Sequence, residues 1–271
     1  MNIPYVPLGL ATLLAVHGLR KKSLSPSGAA TAFIVGTCMF AGATRVFGVT
    51  LIVFYLLGSR ATKYGAQRKQ KLEEGEAEGY RSGWQVLSNS ASALACAIAW
   101  NYLYFGQRPV CLVDPANAWS RKLVYGALGH FACCLGDTLA SELGILSTSK
   151  PRLVTTWRPV PPGTNGGMST GGTLASIIGG LIIGATASIV AALEGCGWDV
   201  FPGMMVWGAV GGGAGSFVDS LLGATIQETK YSEERKIITQ SGTTINGWNI
   251  LSNNQVNVLS SILTAVWMSF V

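Results

Sequence analysis

Eight apolar stretches, at about residues 5–19, 27–44, 46–59, 86–105, 123–144, 173–193, 203–223 and 253–270, divide the chain. A run this apolar and close to about 20 residues long is at home in a bilayer, where a helix satisfies its own backbone polar groups. Their repetition predicts an all-α fold: a polytopic membrane bundle of about eight transmembrane helices, some short or broken, forming one integral domain over residues 1–271. Charge agrees, since only 12% of the residues are charged, against roughly 25% in soluble domains. The 35 glycines suit close helix packing in lipid, because small side chains let backbones approach. The polar ends of the fifth and seventh stretches predict helix breaks there. At the N-terminus, no basic segment precedes the first apolar run and no cleavage site follows it, so it reads as a span and not as a signal or transit peptide.

Basic residues orient the bundle. With eight spans, one face receives Arg20, Lys21, Lys22, Arg60, Lys63, Arg68, Lys69, Lys71, Arg81, Lys150, Arg152, Arg158, Lys230, Arg235 and Lys236, while the other receives Arg45, Arg108, Arg121 and Lys122. The positive-inside rule puts the first face in the cytosol and both termini in the lumen or exterior. The basic excess is thereby a matter of topology, and no nucleic-acid partner is expected. The mixed-charge 60–83 loop reads as a solvated helix laced by opposite charges. Cys38, Cys96, Cys133 and Cys134 read as small buried thiols. Cys111 and Cys196 fall in loops on the lumenal side, which leaves a disulfide between them open.

Nearly every polar group inside or beside a span falls at the cytosolic end. Asp137 and Glu142 end the fifth span, Asp219 ends the seventh, Gln85 and Asn89 open the fourth, and Asn253, Asn254 and Asn257 open the eighth. The segments GDTLASELG (136–144) and GSFVDSLLG (215–223) form a faint internal repeat that places an acid at each helix end. Two carboxylates at one depth, Asp137 and Asp219, suit Mg²⁺, which takes one or two carboxylates plus phosphate oxygens and water; Glu142 is a third candidate ligand. The Gly-rich run GTNGGMSTGG, from Gly163 through Thr164, Asn165, Gly166, Gly167 and Ser169, offers backbone N–H groups and hydroxyls ahead of a helix, a cradle for polyphosphate. Lys150 and Arg158 in the same loop can neutralise a triphosphate, Lys150 as a catalytic cation. Arg60 and Lys63 sit where a cation meets a lipid headgroup phosphate. His17 and His130 lack partners for a histidine-based catalytic system and read as packing residues.

The blocks SPSGAATAFIVG, LLGSRATKYG, GWQVLSNS, GDTLASELG, VPPGTNGGMSTGGTLAS, GSFVDSLLGATIQ and LSNNQVNVLSS follow one another across most of the chain. In this order they resemble the integral membrane family called transmembrane protein 19, or domain of unknown function 92. That family includes plant phytyl-phosphate kinases and is similar to CTP-dependent polyprenol kinases and membrane cytidylyltransferases. The resemblance implies an enzyme that phosphorylates a prenyl or phytyl monophosphate to the diphosphate, with Mg²⁺ and CTP or another nucleoside triphosphate. On the matching positions it implies Asp137 and Asp219 as metal and catalytic acids, the 163–169 turn as phosphate contacts, and Arg60, Lys63, Asn89, Asn253 and Asn254 on the acceptor. The expected setting is the endoplasmic reticulum or another endomembrane, with the site facing the cytosol and a homo-oligomer compatible with it. A cytidylyltransferase, and a lipid transporter or scramblase, are the alternatives.

Overall fold

The structure is a computed structural model that describes residues 5–69, 71–72 and 80–271. Each apolar stretch is helical: α1 Tyr5–Arg20, α2 Pro26–Phe40, α3 Val46–Lys63, α6 Ala91–Leu103, α7 Ala118–Gly144, α8 Thr170–Ala191, α9 Val200–Ile226 and α10 Asn253–Met268, with short helices α4 Ala66–Lys69 and α5 Gly83–Ser88. Among the described residues three helices can cross a membrane by length and composition, Val46–Lys63, Ala118–Gly144 and Thr170–Cys196; Pro26–Phe40 and Ala91–Leu103 are shorter apolar helices. The break expected in the fifth and seventh stretches lies in the fourth instead. There α5 ends at Asn89, whose N–H returns to the Gln85 carbonyl, and Ser90, at the N-cap position of α6, turns its hydroxyl back to the Val86 carbonyl at 2.8 Å. Of the 60–83 loop, residues 70 and 73–79 lie outside the described residues, as do residues 1–4 of the first apolar segment's approach.

Helix α7 is the centre. Every residue from Val124 to Gly136 is buried, because α3, α6, α8, α9 and α10 pack around it. A helix that is apolar on all sides belongs in such a position. Helices α7, α8 and α9 meet through glycine: a Cβ on Gly180 would stand 2.1 Å from the Gly208 carbonyl oxygen, and one on Gly136 2.8 Å from that of Gly212. His130 lies inside this core with Nδ1 against the Ser92 hydroxyl, and His17 is exposed.

Among the described residues five short strands depart from the all-α expectation. In the loop between α7 and α8, β1 Arg152–Leu153 pairs antiparallel with β2 Gly167–Met168. Between α9 and α10, β3 Thr229–Ser232 lies between β4 Ile237–Ile238 and β5 Thr243–Asn246. Both loops are long, and strand pairing supplies partners for part of their backbone N–H and C=O groups. The β-branched content of TKYS and TTIN was a readable signal for the second sheet.

The opposite end of the bundle is tied by Cys111–Cys196, a disulfide across 85 positions of sequence. Beside it Glu194 accepts from the Thr44 hydroxyl at 2.7 Å and the Arg45 N–H at 2.9 Å, and pairs with Arg108 at 3.2 Å. Gly195, at φ +110°, fits under the Val110 carbonyl, where a Cβ would stand 2.7 Å away. Reducing the bridge is expected to lower stability by about 2–4 kcal/mol. The thermal midpoint of purified protein with and without reductant measures it, and Cys111→Ser should make the midpoint insensitive to reductant. An unchanged wild-type midpoint would count against the bridge.

Candidate functional site

At the end away from the disulfide, the C-termini of α3, α7 and α9, the N-termini of α8 and α10, and α5 enclose a cavity of about 700 Å³. The two strand-bearing loops form its mouth. Asp137 and Asp219 both line it. Asp137 Oδ1 accepts from the Ser216 hydroxyl at 3.4 Å. Asp219 Oδ2 accepts from the Ser260 hydroxyl at 2.7 Å and, with its amide nitrogen inward, from Asn257 at 3.3 Å. Among the described residues neither carboxylate makes an ion pair. Two acids on adjoining helices thus share one cavity with no ion-pair partner on either, and holding such groups near each other calls for a cation.

The Gly-rich turn shares the cavity with them, with Gly163, Thr164, Asn165, Gly166, Gly167 and Ser169 all lining it. Its backbone is not an open row of donors. The Asn165 N–H donates to Thr229 Oγ1 at 3.1 Å, the Asn165 side-chain amide to the Glu228 carbonyl at 3.0 Å, and the Gly167 N–H to the Thr164 carbonyl at 2.9 Å. The Ser169 hydroxyl caps α8, accepting from the Gly172 N–H at 3.1 Å. Gly166, at φ +75°, lets the turn press on α9, since a Cβ there would lie 2.4 Å from Ala224 Cβ and 2.5 Å from the Ser220 carbonyl. The turn is therefore a braced wall that holds its distance from Asp219.

Asn89, Asn253 and Asn254 also line the cavity, and Glu142 does so while paired to Lys69 at 2.6 Å. That pairing already neutralises Glu142, which leaves Asp137 and Asp219 as the carboxylates free for a cation. No cluster of three His, Cys, Asp or Glu side chains suited to a metal occurs among the described residues. An ion here would take the two carboxylates and complete its shell with phosphate oxygens and water, as Mg²⁺ does. The residues present fit that ion.

Four expected cations are not cavity-lining residues. Arg60, Lys63, Lys150 and Arg158 are exposed, and Lys63 Nζ donates to the Lys21 carbonyl at 2.6 Å. The cations that do line it are Arg81 and Lys230, which the sequence presents only as members of a topological charge excess. Lys230 pairs with Glu228 at 3.3 Å, and the Thr244 hydroxyl together with Lys230 holds Glu228 below the usual carboxylate range. Burial lowers the Arg81 guanidinium from its ordinary value, with Glu142 the leading opposing influence; an arginine nonetheless stays protonated. Arg81 directly precedes the SGWQVLSNS segment, which was its one local signal.

A glycine-packed helical membrane bundle with an acidic cavity at one end is the class that fold and site define. Residues 9–265 match the family described as integral membrane protein DUF92, and the chain belongs to it. It is similar to Protein PGR of Arabidopsis thaliana, 37% identical over 94% of this chain and 91% of the relative. An uncharacterized membrane protein of Synechocystis is 29% identical over 93% of this chain and 84% of its own length. Protein VTE6, chloroplastic, of Arabidopsis thaliana is 27% identical over 90% of this chain and 63% of its own length. No solved structure matches the chain.

Proposed function

We propose that this protein is a membrane isoprenoid-phosphate kinase, which transfers the γ-phosphoryl group of CTP or another nucleoside triphosphate to a prenyl or phytyl monophosphate. The observation that carries the reading is the pair of carboxylates Asp137 and Asp219, without ion-pair partners among the described residues, sharing one cavity with a braced Gly-rich turn. The relatives' names state no reaction, so the chemistry rests on this cavity and on the motif resemblance to a family containing phytyl-phosphate kinases.

Asp137 and Asp219 would hold Mg²⁺, which supplies charge neutralisation at the phosphates. The 163–169 turn shapes the space for the triphosphate, and Lys230 brings positive charge to the mouth. An acceptor-phosphate oxygen attacks the γ-phosphorus, a new P–O bond forms, the bond to the β,γ-bridging oxygen breaks, and the nucleoside diphosphate leaves with that electron pair. A phosphomonoester has a second pKa of about 6, so it arrives largely as the dianion and no side chain need deprotonate it. That agrees with a cavity lined by no histidine among the described residues. The disulfide at the far end supports placing that end in an oxidising compartment and the cavity in the reducing cytosol, in the endoplasmic reticulum or another endomembrane.

The test is turnover by purified protein given farnesyl, geranylgeranyl or phytyl monophosphate, Mg²⁺ and each of CTP, ATP, GTP and UTP. Equimolar prenyl diphosphate and nucleoside diphosphate are expected. Pyrophosphate release would identify a cytidylyltransferase instead, and no nucleotide consumption in any combination would remove the kinase reading.

A further inference from the structure

The cavity holds one charge to which the reaction above gives no task. Arg81 is pinned through its backbone: its N–H donates to the Ser23 carbonyl at 3.2 Å and its carbonyl accepts from the Ser25 N–H at 3.1 Å. Gly28 makes room for this clamp, because a Cβ there would stand 2.1 Å from the Arg81 carbonyl oxygen. From that anchor the side chain runs along α3. Its guanidinium carbon lies 6.0 Å from the Phe54 ring centroid, and Nη2 lies 3.3 Å from where a Gly58 Cβ would be. A larger residue at 58 would crowd the place the guanidinium occupies.

Among the described residues the guanidinium has no hydrogen bond and no ion pair. Glu142, the acid that acts on it most, is held by Lys69 at 2.6 Å. A guanidinium carries five N–H donors in a planar fork, and a fork left unengaged inside a cavity is matched to an anion that is not part of the protein. Its level in the fold narrows the choice. Phe54 and Gly58 belong to α3, a helix long and apolar enough to cross a membrane, whereas Lys230 sits on β3 in the loop above. An anion that reaches Arg81 beside a membrane-crossing helix can leave a hydrocarbon tail among the helices, and a water-borne nucleotide is met first at the loops.

We infer that Arg81 is the cation that receives the phosphate of a lipid phosphomonoester, its fork engaging two phosphate oxygens, with Gln85 and Asn89 of the following helix lining the same space. The task given to that phosphate, as nucleophile, rests on the kinase reading; the binding does not. Arg81 is a binding residue for the acceptor, separate from the carboxylate pair.

The test uses the full chain in detergent with farnesyl monophosphate, farnesol, inorganic phosphate and CTP as separate probes, read by thermal midpoint without turnover. Farnesyl monophosphate should raise the wild-type midpoint, and farnesol and inorganic phosphate at equal concentration should not. Arg81→Gln should weaken farnesyl monophosphate at least about tenfold, and Arg81→Lys, which keeps the charge and loses the fork, by a smaller factor. CTP binding should stay within about twofold, because only the acceptor end is altered. In turnover the loss should fall on the KM of the acceptor. Wild-type affinity for farnesyl monophosphate in both variants, loss of CTP binding in its place, an equal Arg81-dependent response to inorganic phosphate, or a wild type that binds no prenyl monophosphate would each overturn the assignment. If Arg81→Gln does not fold, Arg81→Lys decides alone, unchanged acceptor affinity again overturning it. A wild type that binds farnesyl monophosphate through Arg81 and consumes no nucleotide would sink the kinase and leave the lipid-phosphate site standing.

Discussion

Asp137→Asn is expected to give a folded protein that turns over slower by about 10³-fold or more. The substitution preserves shape and an oxygen for the Ser216 hydroxyl, which donates to Oδ1 in the wild type. It removes only the charge, and since Asp137 has no ion-pair partner among the described residues, no cation is stranded by its loss. Asp137 and Asp219 line one cavity and neither has an ion-pair partner among the described residues, so without metal the variant is relieved of one unpaired charge inside it and should melt at or above the wild-type midpoint. Added Mg²⁺ and nucleotide should stabilise wild type and not the variant, because only wild type keeps both carboxylates. Asp219→Asn should behave alike in turnover, and the double variant should be little worse than the slower single one, since groups holding one ion act as a unit. Turnover and melting of the three proteins decide the matter; wild-type rates in Asp137→Asn would take it out of the site.

The largest effect on folding is expected at Gly180. A Cβ there would lie 2.1 Å from the Gly208 carbonyl oxygen, and one on Gly208 2.5 Å from that of Gly180. The obstructing atoms are backbone on both sides, so no rotamer change relieves the overlap and α8 must move off α9. That motion also loosens α7, where Gly136 approaches Gly212. Overpacking typically costs about 1–3 kcal/mol where a core can adjust; here Gly180→Leu should exceed that and yield no monodisperse protein by size exclusion. Gly203→Ala on α9, with nothing within 4 Å of the added Cβ, is the control and should elute as wild type. A well-folded Gly180→Leu would refute the backbone contact.

The positions of helices were legible because bilayer-like apolar runs leave the backbone one way to satisfy itself, and all eight runs are helical. The candidate carboxylates were legible for a related reason: an acid in such a run is conspicuous. Asp137, Asp219, Asn165 and Asn253 lie far apart in sequence, yet alternating helix direction alone sends them to one end. Hydropathy could not distinguish a crossing helix from a shorter apolar one, and among the described residues three helices meet the length and composition needed to cross.

Cations were legible only as topology. Sequence position singles out Arg60, Lys63, Lys150 and Arg158 as phosphate-facing cations and leaves Arg81 among the topological charges, although each flanks an apolar run and the positive-inside rule asks nothing more of any of them. The tertiary structure separates them through contacts remote in sequence: Ser23 and Ser25 clamp Arg81 inward, Lys63 is turned to the Lys21 carbonyl, and Lys69 takes Glu142. The same holds for the Gly-rich turn, whose donors sequence leaves free and whose neighbours at Glu228 and Thr229 occupy two of them, both on Asn165. The chain by itself determined which segments are apolar helices and which end is polar, because a helix is the one way an apolar run satisfies its own backbone. Only the tertiary structure decided which charges face the cavity, because a long side chain's direction is set by the particular hydrogen bonds and close backbone contacts around it.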